Sequence, residues 1–302
     1  MKLRATLLSA LLVVSLVGAA AAPAVATQEA EGYSGSHVEF QTQNSAVTGY
    51  AVNDAVIVEN VSVQSSEEAR SQAGIGADAG LSTATEFSGA GLQLASQTSL
   101  SATLSIESGA EMQTHDNQRG IFQVRANDGA QMVHANLSSD SEAESESDER
   151  VVVTKGDGSQ GTFIVVGDGE VVVNEDGNVT AEIEEGSQLV YRQYDDGERS
   201  DDDKQKEQMI QNGTATAEVY VESAAESGQD GADDGEDSAE DGSDEGEEAA
   251  ASVVEYGQDT TVEVQSRSEN TINMTAERSQ SQGKVVLTSV SESAFDSAED
   301  IE

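Results

Sequence analysis

The chain of 302 residues sets 14 Lys and Arg against 58 Asp and Glu, a formal charge of −44 at neutral pH, and has no Cys. Phosphate binding needs clustered cations, so this balance excludes nucleic acid and an anionic membrane surface as partners. Without Cys there are no disulfides, no thiolate chemistry and no lipidated N-terminal Cys.

At the start, Lys2 and Arg4 precede an uncharged run from Ala5 to Ala22, followed by Pro23 and Ala24-Val25-Ala26. A basic beginning, an apolar centre and a small-x-small site read as a secretory signal peptide over 1–26, which makes the mature chain secreted, free or retained at the cell surface. The competing reading is an uncleaved anchor, because a run of this length just spans a bilayer. No second apolar span follows, so a cleaved chain has no membrane segment.

Cleavage removes Lys2 and Arg4 but no acid, and leaves Lys155, Lys204, Lys206 and Lys284 as the mature chain's lysines. In this balance the mature chain resembles the secreted proteins of extreme halophiles, in which carboxylates cover the surface and Lys is scarce. The resemblance is one of composition. It implies a fold that tolerates its own charge in concentrated salt, where the Debye length shrinks to about 3 Å at 1 M.

After a polar lead over 27–36, Val38, Phe40, Tyr50, Val52, Val56, Val58, Val61 and Val63 recur at mostly period-two spacing and predict three strands over 37–64. The Gly-, Ala- and Ser-rich stretch 65–91 reads as loop, with one helical turn at Ser66 to Gln72. Alternation resumes from Leu92 to Ile106, and Gly120 to Val124 and Gln131 to Leu137 add two strands. Acidic runs at 138–149 and 195–203 read as solvated loops. Between them, Val151 to Thr154, Thr162 to Val166, Glu170 to Val173, Val179 to Ile183 and Gln188 to Arg192 are five short Val-rich strands. Asp176-Gly177 marks a hairpin, since Gly accepts the positive φ of a tight reversal. Runs such as Val171-Val172-Val173 do not alternate, which fits strands covered on both faces.

Further on, Met209 to Glu222 reads as a hairpin around Asn212-Gly213, and 223–251 as a disordered acidic insertion too polar to bury. Val253 to Tyr256, Thr260 to Gln265, Thr271 to Ala276 and Lys284 to Val290 form a last group of strands. Their few large residues make 252–302 marginal alone, so this group is expected to pack on the main β domain, 27–222. With six Tyr, five Phe and no Trp, the core is expected to rest largely on Val, Ile, Leu and Ala. The fold class is all-β, an antiparallel sandwich or jelly-roll-like arrangement, with a parallel β-solenoid as the alternative.

Catalytic motifs fail on context. Gly156-Asp157-Gly158-Ser159-Gln160-Gly161 has the spacing of a dinucleotide loop but is followed by a strand, whereas the pyrophosphate needs a helix N-terminus. His37, His115 and His134 are scattered without a second His at metal-ligand spacing. Gly32-Tyr33-Ser34-Gly35-Ser36 misses the nucleophile elbow at its last position, and 58 acids give no reason to select a catalytic pair. Calcium is the one cofactor with candidate donors: Asp157, Asp168, Asn174, Asp176 and Asn178 put oxygens on turns, without the complete EF-hand loop. Asn60, Asn136, Asn178, Asn212 and Asn273 begin Asn-x-Ser/Thr sequons, candidate glycan acceptors in an exported chain.

These observations predict a non-enzymatic secreted or cell-surface protein, structural or adhesive and adapted to high salt, whose partners are another copy or a surface glycan or protein. The alternatives are a calcium- or carbohydrate-binding β module and an unrecognised hydrolase.

Overall fold

The computed structural model describes residues 31–290 except 44, 77–78, 195–198, 223–249, 258–259, 269–270 and 279–282. The signal segment and most of the acidic insertion lie outside the described residues.

The chain begins with β1 (Gly32–Ser34), β2 (Val38–Gln43), β3 (Ala46–Val52) and β4 (Ala55–Ser65), then helix α1 (Ser66–Ala73). There follow β5 (Leu92–Gln97), β6 (Ser101–Ile106), β7 (Ala110–His115), β8 (Ile121–Ala126), β9 (Gln131–Leu137) and β10 (Ser141–Ser147). The central stretch supplies β11 (Arg150–Lys155), β12 (Gln160–Val166), β13 (Gly169–Val173), β14 (Val179–Ile183) and β15 (Gln188–Gln193). Helix α2 (Asp201–Gln211) precedes β16 (Ala215–Glu222), β17 (Ala250–Glu255), β18 (Thr260–Ser268), β19 (Thr271–Arg278) and β20 (Val285–Val290).

Two antiparallel sheets face each other: a first of order β1-β2-β3-β4-β9-β14-β13 and a second of order β10-β11-β12-β15-β8-β7-β6-β5. The sandwich is therefore the architecture, and the solenoid alternative falls, because the pairings in both large sheets are antiparallel. The chain changes sheets repeatedly, so that β9 inserts beside β4 and β15 between β12 and β8. Valines and leucines from both inner faces make the core, as the alternation requires. Its centre is more aromatic than the composition suggests: Tyr33, Phe40, Tyr50, Phe122, Tyr191 and Phe163 form one continuous path of ring contacts, with centroids 4.9–6.2 Å apart.

A third layer covers the outer face of the second sheet. It consists of α2 and a small sheet of order β17-β16-β20, in which β16 and β20 are parallel. Ile121, Ile164, Val166 and Val190 of the second sheet meet Ile210 of α2 with Tyr220, Val254 and Tyr256. This explains the non-alternating Phe163-Ile164-Val165-Val166, buried on both faces. Strands before and after 223–249 thus share one sheet, since β16 pairs with β17.

Four sequence readings need correction. Residues 201–203 of the acidic run open α2, whose Ser200 side chain accepts the Asp203 N–H while the Asp203 carboxylate accepts the Ser200 N–H. Asn212-Gly213 then ends that helix; it does not turn a hairpin. The run at 138–149 contains the edge strand β10, whose exposed carboxylates discourage further strand pairing, and Ala250 and Ala251, placed with the acidic insertion, belong to β17. Sequence reading also missed β1, β7 and the second turn of α1.

On the covered face of the second sheet, His115 is 2% exposed. Burial first, and the Arg125 guanidinium second, hold its imidazole down at about 4 from 6.5. The neutral ring therefore contributes stability that is complete above pH 6.5 and lost as the pH falls towards 4, about 3 kcal/mol in all. Urea unfolding of His115→Asn in molar NaCl should lose less stability between pH 7.5 and 4.5 than the parent; equal losses would discount His115 as the acid-sensitive group.

Candidate functional site

The five turn residues with oxygen donors do not converge. Asp157 lies in the β11–β12 turn, where its Oδ1 accepts the Ser159 N–H and hydroxyl at 2.8 and 2.6 Å. Asp168 lies beyond the other end of β12, a seven-residue strand that separates the two by about 20 Å. Asn174, Asp176 and Asn178 share the β13–β14 hairpin. There the Asn174 Oδ1 accepts the N–H groups of Asp176 and Asn178, at 3.1 and 3.0 Å. Its Nδ2 donates to the Ala84 carbonyl and the Thr180 hydroxyl. Both lone pairs of that oxygen are committed, so Asn174 holds the turn and has none left for a cation. Asn178 Oδ1 accepts the Leu137 N–H at 3.0 Å.

The glycine pattern 156–161 is a hairpin turn leading into β12. The histidines stay apart: His37 pairs with Asn53, His115 lies under the third layer, and His134 bonds Thr180 beneath Phe87. Ser34 is on β1, and the turn after it is held by Asp116, whose carboxylate accepts the N–H groups of Ser36, His37 and Val38 at 2.7–2.8 Å. Among the described residues no group of three His, Asp or Glu side chains is arranged to hold a metal.

What the strand registers do bring together is a row of neutral side chains on the outer face of the first sheet. Gln41 pairs with Thr48, Thr48 with Asn60, and Asn60 with Asn136. Asn178 extends the row through its bond to Leu137. All point outward because their neighbours Phe40, Val47, Val61, Ala135, Leu137 and Val179 point into the core. The Asn136 Nδ2 donates to the Asn60 Oδ1 at 3.2 Å, which fixes both amides. At strand spacing the row is roughly 19 Å long.

One end of the row opens into a shallow groove of about 600 Å³ over β1 to β4, lined by Gly32, Ser34, Gln41, Thr48, Gly49 and the 40%-exposed Val56, with Glu39 its one carboxylate. Gly49 takes φ +63 at an irregularity in the β2–β3 register, and a side chain there would project into open space. Three of the row's five residues were visible as sequons. Gln41 and Thr48 were not singled out, because only the pairing of four strands aligns them.

The basic residues follow the opposite pattern. Arg70 pairs with Glu182, Arg119 with Asp203, Arg150 and Arg199 with Glu207 and Glu146, and Arg192 with Glu218. Arg125 donates to the Glu255 carbonyl and to Gln188 at 2.5 and 3.1 Å. The guanidinium groups of the sandwich are thus spent internally, and the acids that remain make the surface anionic.

A second concavity, of about 360 Å³, lies where the sandwich meets α2 and β17. Asn127, Ser187, Gln188, Gln211 and Asn212 line it, with Asp168 its one acid and Arg125 its one base. Comparison of the chain with protein-family models, with characterised proteins and with solved structures returns no match.

Proposed function

We propose that this is a non-catalytic, exported structural or adhesive protein that works in concentrated salt and holds neutral, hydroxyl-rich polysaccharide on the outer face of its first sheet. The row Gln41, Thr48, Asn60, Asn136 and Asn178 carries this reading. In molar salt, charge-based attachment is screened within a few ångströms, whereas amide and hydroxyl hydrogen bonds at contact are not. An adhesive face for that solvent is neutral and polar, and this row supplies such a face on a chain of charge −44. Fixed strands position the donors, so little ordering entropy is lost on contact.

Retention of the mature chain on insoluble neutral polysaccharides in molar NaCl tests the proposal. Gln41→Ala with Thr48→Ala should weaken retention about tenfold, two hydrogen bonds at roughly 1 kcal/mol or less each, with the melting temperature unchanged. Retention on none of the polymers, or release of soluble sugar from them, would overturn it.

A further inference from the structure

The five sequons occupy very different surroundings. Asn136 donates to Asn60, and Asn178 accepts from the Leu137 backbone. The hydroxyl-bearing third positions of two of these sequons, Ser62 and Thr180, are buried, and the Thr180 hydroxyl donates to the Ala84 carbonyl at 3.0 Å. In β19, Asn273 is exposed but sits within the β18–β19 ladder opposite Ser266. A transferase reaches both the Asn amide and the hydroxyl two residues on, which a paired strand does not present.

Asn212 differs from all four. It is exposed at the C-terminus of α2, followed by Gly213 at φ +65 and a half-buried Thr214. Its Oδ1 accepts the Thr214 N–H at 2.9 Å, which turns the sequon back on itself and leaves Nδ2 with no protein hydrogen bond among the described residues. Asn212 also stands at the rim of the 360 Å³ cleft between the sandwich and the third layer. The amide and hydroxyl side chains of Asn127, Ser187, Gln188, Gln211 and Asn212 share the walls of that cleft with Ala126, Val166 and four glycines. Its one base is already engaged: the Arg125 Nε donates to Gln188, and the Gln188 Nε2 donates to the Tyr256 carbonyl at 2.7 Å. Such a lining suits a neutral, hydroxyl-rich group, and a sugar linked to Asn212 is tethered beside it.

We propose that Asn212 is N-glycosylated and that the cleft beside it seats the first sugar. In the transfer, the Asn212 Nδ2 attacks the anomeric carbon of a lipid-phosphate-linked saccharide. A carbon–nitrogen bond forms, the anomeric carbon–oxygen bond breaks, the lipid phosphate leaves with the electron pair, and the amide loses one proton. The seated sugar then closes the junction of α2, β15 and β17.

The test is intact-mass and glycopeptide analysis of the chain exported by its source organism. Expected are a sugar mass on the Asn212 peptide, its loss in both Asn212→Gln and Thr214→Val, and its retention in Thr214→Ser. Amide hydrogen exchange at 186–188 and 256–257 should be about tenfold slower in the glycosylated chain than in Thr214→Val. An exported chain with unmodified Asn212 overturns the site, and equal exchange overturns the seat. The inference rests on the export in the reading above: a chain found only inside cells defeats both, whereas an exported chain with a bare Asn212 defeats this inference alone.

Discussion

Glu218→Ala is expected to lower the unfolding free energy by about 3–5 kcal/mol, the cost of leaving a buried charge without its partner. Arg192 and Glu218 are both 0% exposed and meet at 3.3 Å between the second sheet and β16. Glu218 also accepts the Tyr256 hydroxyl at 2.8 Å, and the Arg192 Nη2 lies 3.5 Å from the Tyr220 hydroxyl. The Nε and Nη1 of Arg192 have no partner among the described residues, so the Glu218 carboxylate is what balances that guanidinium. Burial first, and the same carboxylate second, push the Tyr220 and Tyr256 phenols well above 10; burial remains when the carboxylate is removed and opposes ionisation of either tyrosine in its place. Replacing both charges, Arg192→Met with Glu218→Met, should recover most of the loss, because the penalty belongs to the unpaired charge and not to the absence of the pair. Urea is the suitable denaturant, since it leaves the ionic strength fixed in molar NaCl. A Glu218→Ala loss below 1 kcal/mol would show that water or another group already balances Arg192.

That pair also marks where sequence reading stops. The five strands between 150 and 193 were legible because Val-rich runs and Asp-Gly turns are local signals. Arg192 was not, because alternation placed it on the outer face of β15 and nothing local indicates that the third layer covers that face. Helix α2 was missed for a related reason. Asp201–Gln211 has no apolar stripe: it is held by Ile210 and by the carboxylates of Asp203 and Glu207, which receive Arg119, Arg150 and Arg199. The one local signal was its cap, Ser200 followed three residues later by Asp203. In β7, inward Ala110, Met112 and Thr114 alternate with Glu111 and Gln113, but such mixed residues give a weak period. The neutral row on the first sheet was legible in part, since Asn60, Asn136 and Asn178 stood out as sequons. Their alignment with Gln41 and Thr48 is a property of register, which depends on the remote β9 and the turn before β14 joining the consecutive strands β2, β3 and β4.

Transfer from molar NaCl to low-salt buffer is expected to unfold the chain, an effect larger than that of any single substitution. The cause lies in how the charges are divided. With arginines drawn inward by Glu182, Asp203, Glu207 and Glu218, the surface retains acids in large excess over its bases, of which Lys204 beside Asp201 is one. Repulsion among them acts over about 10 Å at 0.1 M salt but about 3 Å at 1 M. Dilution therefore restores a destabilising term that the unfolded chain relieves by expanding. The internal pairs respond far less, because the buried Arg192 and Glu218 are shielded from the electrolyte whatever its concentration. Circular dichroism over a NaCl series should show the β signal collapse on dilution and return on adding salt, with KCl equivalent to NaCl at equal ionic strength. Repeating the series with millimolar calcium and with chelator separates screening from site binding: recovery at low salt by calcium alone would transfer the explanation to specific carboxylates such as Asp157, Asp168 and Asp176, and a β signal indifferent to dilution would defeat the screening argument.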